Sequence, residues 1–265
     1  MSYVIKASGE KERFSPNKIR RSILEAGGSK ELANEAIKKV KGKKFKQVHT
    51  KKILDLTLKS LKKDVGVVAR YDLKRAIMQL GPTGFPFEKF FAIVLRNYGY
   101  DADVGKIMQG KNVTHEIDVI AKKQKTFMIE CKYHNQLGAK TRVKVPLYVY
   151  ARFLDLKKDF DSPWVTTNTK CTSDAKNYAR GVGMKITSWN FPNKESLRDL
   201  ITAKKLYPIT VIRCIDNNMK KKLFDSNIFL VKTLVESNIN ELRKKTRLSP
   251  KVLDKIVPEA KAILG

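Results

Sequence analysis

Three charged residues interrupt two apolar stretches of this chain. Asp118 lies in Ile117-Asp118-Val119-Ile120, and Glu130 and Lys132 close Phe127-Met128-Ile129-Glu130-Cys131-Lys132. Charged groups on buried strands are costly unless they are paired or hold a metal. Two acids and a lysine on adjoining strands make a workable site for Mg²⁺ (or Mn²⁺) and for phosphodiester cleavage. The carboxylates would supply hard oxygen ligands to an ion that keeps several of its waters. The lysine would orient or help deprotonate a bound water and stabilise charge on the phosphate.

The elements that must position these residues follow from the pattern. Both stretches read as strands, and Lys122 to Lys125 is polar. A three-residue loop, Lys123-Gln124-Lys125, sets Asp118 directly opposite Glu130 and Ile120 opposite Met128. Lys132, two residues beyond Glu130, then shares their face. Ile117, Val119, Ile129 and Cys131 fall on the other face. A two-residue loop would break the match, because a slip of one residue turns every side chain to the opposite face.

The chain has 265 residues, a formal net charge of +29 and 42% hydrophobic residues, enough for packed cores and against overall disorder. The length fits two or three small domains. Basic residues outnumber acidic ones 21 to 8 in residues 1–82, 22 to 12 in 83–205 and 12 to 6 in 206–265. The charge is therefore not a basic tail, each part could face a polyanion, and nucleic acid is the leading partner. The N-terminus has no apolar signal core and no apolar run approaches a membrane span. Cys131, Cys171 and Cys214 are odd in number and widely spaced, which fits a reduced cytoplasm and not a disulfide framework. His49, His115 and His134 form no zinc spacing with them.

Residues 3–14 read as a hairpin turning at Ser8-Gly9. Helices are expected from Ser15-Pro16, Ser29 and Thr50, and over 66–80 up to Gly81-Pro82. Val4-Ile5-Lys6, Gly9, Glu12-Arg13-Phe14, Lys18-Ile19, Thr50 with Ile53, and Ala69 through Ile77 resemble the ATP-cone, a nucleotide-binding regulatory module. The resemblance covers residues 1–82. It implies that Lys6, Glu12, Lys18 and Thr50 contact ATP or dATP. One departure stands out: the family usually has an arginine just after the first-strand lysine, and here that residue is Ala7.

Downstream, helices are expected over 84–98, 145–157, from Thr172 or Ser173, and over 195–205, with strands at Trp164–Thr169 and Met184–Trp189. That order is an α/β sandwich around a mixed sheet. With Phe87-Glu88, Gly99-Tyr100, His115 through Val119, Glu130-Cys131-Lys132, Thr167-Asn168-Thr169 and Ala175 through Gly183, residues 83–204 resemble PD-(D/E)xK nucleases. The Mrr-type restriction endonuclease-like family is the closer match. The resemblance implies Asp118, Glu130 and Lys132 as catalytic residues, with Asp118 and Glu130 on the metal and Glu88 as a helix acid supporting them. Double-strand cutting would need two sites, hence a homodimer. RNA as substrate, or a nucleotide-sensing DNA-binding protein with an idle nuclease fold, fits the same residues.

Tyr207 to Ile215 reads as one more strand, and 216–265 as short helices with a start at Ser249-Pro250. The last region resembles helix-hairpin-helix modules without their glycine hairpin. A helical packing or dimerisation unit fits the same pattern.

Overall fold

The apolar spacing of the first eighty residues closes a small mixed core. The computed structural model describes residues 2–43 and 45–265. Strand β1 (Tyr3–Ile5) pairs antiparallel with β2 (Lys11–Arg13), and Gly9 turns between them at φ +82°, a conformation that favours glycine. Helices α1 (Pro16–Glu25) and α2 (Lys30–Gly42) follow, the second capped by the Ser29 hydroxyl, which accepts from Leu32 N. Strand β3 (Gln47–His49) lies parallel to β1. It leads into α3 (Thr50–Ser60). Ile19, Ile23, Ala33, Ile37, Val40 and Ile53 pack around Val4 and Val48. The helix expected over 66–80 is two: α4 (Val65–Tyr71) and α5 (Leu73–Met78). They break at Asp72, whose buried carboxylate meets Arg75 at 2.7 Å and whose carbonyl accepts from Ala76 N to open α5.

Helix α6 (Phe85–Asn97) then packs its buried Phe87, Phe90 and Phe91 against one face of a five-stranded sheet. The sheet runs β10-β8-β6-β5-β4. Its strands are β4 (Asp101–Gln109), β5 (Thr114–Lys122), β6 (Thr126–Lys132), β8 (Ser162–Thr167) and β10 (Lys185–Thr187). The β4-β5-β6 part is antiparallel and the β6-β8-β10 part parallel. Trp164 sits edge-on to Phe91 and Phe127 at 5.6 and 5.4 Å between ring centres. Two short strands, β7 (Lys140–Thr141) and β9 (Lys170–Cys171), pair in parallel beside it. Helices α7 (Lys144–Asp155) and α8 (Ser173–Gly181) cover the other face. Val149, Phe153, Ala175 and Ala179 pack there on Met128, Val165 and Ile186. Helix α9 (Leu197–Ala203) opens with Ser196 and Asp199 bonded to each other's backbone.

The stretch from Tyr207 is not a strand. It makes one bridge, Pro208 to Leu230, and a 3₁₀ turn at Ile209–Val211. A proline that cannot donate and a single pairing partner leave it no ladder to join. Four helices follow: α10 (Asn217–Asp225), α11 (Val231–Glu236), α12 (Ile239–Thr246) and α13 (Pro250–Leu264). Helix α13 packs along α4 and α11. The chain thus forms two compact units. One joins the segment up to Ala76 to Tyr207–Gly265, and the other is Ile77–Leu206. No helix among the described residues is long and apolar enough to cross a membrane.

Candidate active site

The β5–β6 hairpin turns through Lys123, Gln124 and Lys125, and its ladder pairs Val119 with Ile129 and Ile120 with Met128. That register carries Asp118 toward Glu130. The backbone ladder stops at Val119, and the Asp118 side chain takes over: its Oδ2 accepts from Cys131 N at 2.7 Å. Ile117, Val119, Ile129 and Cys131 are all buried. Asp118 is thereby held against the backbone next to Glu130, and its Oδ1 has no hydrogen-bond partner among the described residues.

Glu130 is held from α7. Its Oε1 accepts from the Tyr148 hydroxyl at 2.5 Å and its Oε2 from Arg152 Nη1 at 2.7 Å. The same guanidinium donates from Nη2 to the Glu116 carbonyl, so one arginine ties β5 and β6 at the carboxylates. Lys132, two residues on, has no hydrogen-bond or ion-pair partner among the described residues. The chain after it is pinned. His134 N donates to Asn168 Oδ1 at 2.9 Å, and Asn168 Nδ2 donates back to His134 O at 2.8 Å. Asn168 is wholly buried, so this reciprocal pair fixes the exit of β6.

Charge crowds here. Burial pushes Asp118 up to about 6, with the Glu130 charge adding to it and the Cys131 N–H and Arg152 opposing. Glu88, in the first turn of α6, rises to about 7, from burial first and then from Asp118, Glu116 and Glu130. Burial also lifts the Tyr148 hydroxyl, reinforced by its bond to Glu130. Acids that resist losing their protons mark a place where cationic charge is wanting. The pair offers hard carboxylate oxygens of the kind a divalent cation takes, with Asp118 Oδ1 open and both Glu130 oxygens engaged by α7. No group of three His, Cys, Asp or Glu side chains converges closely enough to hold a metal ion among the described residues. Glu88 feels the two acids without joining them in such a cluster.

The predicted nucleotide contacts also come together. Lys6 Nζ lies 3.0 Å from both Glu10 Oε1 and Glu12 Oε2, and Lys18 Nζ 2.8 Å from Glu12 Oε2. The Thr50 hydroxyl donates to the Ile5 carbonyl at 3.2 Å, fixing the start of α3 to β1. Lys18 beside Glu12 holds that carboxyl below its ordinary range, and Glu10 and Glu12 raise the Lys6 ammonium.

Family models match the chain in tandem. The ATP cone domain covers residues 2–78, a restriction endonuclease model 82–197, and a model described as AF1548-like, C-terminal, 207–264. The chain belongs to the Mrr-type restriction endonuclease-like family and carries an N-terminal ATP-cone. A protein of Archaeoglobus fulgidus described only as uncharacterized is 39% identical over 176 residues, 66% of this chain and 99% of its own length. The crystal structure of a protein of unknown function, AF1548, matches with a TM-score of 0.63 at 37% identity, covering 69% of this chain and 99% of that one.

Within the restriction endonuclease-like region, the sequence left four contributors unassigned. Tyr148 and Arg152 stand one helical turn apart on α7, a spacing that sets both on one face. That face was legible, but its target was not, because α7 is apolar around them and only the tertiary fold brings Glu130 beneath it. The other two are His115 and Asp155. His115 Nε2 meets Asp155 Oδ2 at 2.8 Å, and Asp155 also accepts from the N–H groups of Asn112 and Val113. These bonds lock the β4–β5 turn to the end of α7.

Proposed function

We propose that this chain is a divalent-metal-dependent endonuclease that hydrolyses phosphodiester bonds in DNA. The observation that carries the reading is that the hairpin register brings Asp118 beside Glu130, with one Asp118 oxygen open and Lys132 unpaired two residues beyond Glu130 among the described residues. Asp118 and Glu130 would hold Mg²⁺ or Mn²⁺, which when bound supplies charge for the phosphate and a more acidic water. Arg152 and Tyr148 keep Glu130 in one rotamer. Lys132 donates to a phosphate oxygen or to the attacking water. Glu88, whose carboxyl is raised by burial and by the neighbouring acids, would be the helix acid that supports the site.

The ATP-cone would bind ATP or dATP at Lys6, Glu12, Lys18 and Thr50. The two lysines already share one carboxylate, and phosphates would compete with Glu12 for them. Two chains acting as a homodimer would cut both strands.

The deciding experiment incubates plasmid, linear, single-stranded and methylated DNA, and an RNA control, with Mg²⁺ or Mn²⁺. Cleavage is expected, lost about a hundredfold or more in Asp118→Ala and Lys132→Ala while binding persists. If Lys132→Ala cuts as fast as the parent, the assignment fails. Absence of cleavage with every metal and substrate would leave an idle nuclease fold that binds DNA.

A further inference from the structure

Helices α12 and α13 are joined by three residues, Arg247–Ser249. Arg247 ends α12 in the left-handed conformation, φ +52°, and its N–H returns to Arg243 O. Short helix–helix connections of this length often contain a residue of that hand, usually glycine. The buried positions follow from the geometry. Leu242 and Thr246 on α12, Leu248 in the turn, and Leu253 and Ile256 on α13 are all inside. Between them Ser249, Lys251, Asp254 and Lys255 face outward on the first two turns of α13.

The far half of α13 is anchored. Arg70 donates to the Ile263 carbonyl at 2.8 Å and to the Ala26 carbonyl at 2.7 Å, and a Cβ on Gly66 would lie 2.5 Å from the Ala262 carbonyl. Pro258 stands between the anchored half and the exposed one. The surroundings of the turn are basic: Arg243, Lys244, Lys245 and Arg247 on its α12 side, Lys251 and Lys255 beyond it. Helix α10 steadies it, with Lys222 Nζ donating to Arg247 O at 3.2 Å and Ser226 Oγ to Lys245 O at 2.9 Å.

We propose that Ile239–Leu264 is a helix-turn-helix that binds duplex DNA, laying the first half of α13 in the major groove. Helix α12 crosses the sugar-phosphate backbone, where Arg243 and Lys244 meet phosphates. Lys251 and Lys255 reach guanine edges or flanking phosphates, and Asp254 favours a cytosine amine. B-form DNA fits because its major groove admits a helix. The deep, narrow major groove of A-form RNA does not. The proposal concerns binding alone and does not need the nuclease reading.

The test uses the full chain in EDTA, so that cleavage plays no part. A random-sequence DNA duplex and the RNA duplex of the same sequence are titrated across a salt series. K251E/K255E is compared with K38E/K41E, which removes the same charge from the exposed face of α2. The first pair should weaken DNA binding about tenfold or more and lower the salt slope by about 0.9 per lost phosphate contact. The control should change affinity by less than about threefold. Methylation of guanine N7 in the major groove should interfere with binding by the parent protein. K251Q/K255Q, read in the same assay with circular dichroism melts, separates loss of contact from loss of fold. Equal weakening by both charge reversals, no weakening by the first, or RNA held as tightly through the same lysines would overturn the proposal.

Discussion

Glu88 and Asp118 keep protons that an exposed carboxyl would have lost, and that has a direct consequence for stability. Both folded-state pKa values are raised, to about 7 and about 6, by burial and by the acids around them. The folded chain therefore binds more protons than the unfolded chain between about pH 4 and 7, so stability contributed by these groups falls as pH rises across that window. Glu88→Gln and Asp118→Asn should each melt higher than the parent at pH 8 in EDTA and match it at pH 4. Mg²⁺ should recover the loss in the parent and fail to do so in Asp118→Asn. Equal melting of all three proteins at pH 8 would show that the carboxylates carry no such strain. Arg152 adds a second residue-level expectation. Its guanidinium is the cation on Glu130, so Arg152→Ala leaves that carboxylate facing Asp118 unaided. Mn²⁺ affinity measured by calorimetry at pH 7 should then fall, with most of the loss returning at higher pH, because metal binding requires the deprotonated acids. A loss unchanged by pH would assign Arg152 to packing instead.

The β5–β6 hairpin was legible because three local rules agree. Alternation marks the strands, Lys123-Gln124-Lys125 marks a turn, and the register that sets Asp118 opposite Glu130 is the one that makes chemical sense. Helices α1, α2, α6 and α8 were legible because each has an apolar stripe behind a capping or proline signal, and α7 by its apolar stripe alone. Strand β4 was not. Asp101-Ala102-Asp103-Val104-Gly105-Lys106 is an edge strand exposed over most of its length, so it needs few apolar residues. Gly105, at φ +67°, interrupts what alternation it has. Strand β3 was hidden because three residues acquire meaning only by pairing with β1, more than forty positions away. The turn that joins β4 to β5 yields a prediction at this scale. Gly110 sits against Asp155, and a Cβ there would stand 2.2 Å from Asp155 Oδ2, within the cluster that binds Asn112, Val113 and His115. Gly110→Ala should cost about 2 kcal/mol in urea unfolding. Asp155→Asn should lose stability at pH 7 but not at pH 2. The His115 bond draws the Asp155 carboxyl down to about 2, and the stabilisation it brings is lost as pH falls toward that value. If Gly110→Ala unfolds at the same denaturant concentration as the parent, the turn is not locked to α7 by Asp155.

The contacts that cross the whole chain join its two ends. Helix α13 lies on α4 of the ATP-cone, where a Gly66 Cβ would meet the Ala262 carbonyl, and Arg70 bonds to the carbonyls of Ala26 and Ile263. Sequence could mark the apolar stripe of α13 but not its partner, since Arg70 and Ile263 lie 193 positions apart. Arg70 thus ties α4 to both Ala26 and the end of α13. A chain ending at Leu206 removes the buried Ile256 and Ile263 with the rest of α13, each such side chain worth about 1.5–3 kcal/mol, and strips α4 of that neighbour. Scanning calorimetry of the full chain should show separable transitions for the two compact units, one of them Ile77–Leu206. In the truncated chain the transition of the N-terminal segment should fall sharply or vanish, while that of Ile77–Leu206 keeps its midpoint. ATP or dATP added to the full chain should raise only the transition that contains the cone, by about 2.7 kcal/mol at a hundredfold excess over the dissociation constant. Restoring an arginine with Ala7→Arg should enlarge that rise, because it adds a charge-assisted donor beside Lys6. An N-terminal transition that survives truncation unchanged would show that the cone folds without α13. A nucleotide that moves neither transition would remove adenine nucleotides as the ligand of Lys6, Lys18 and Thr50.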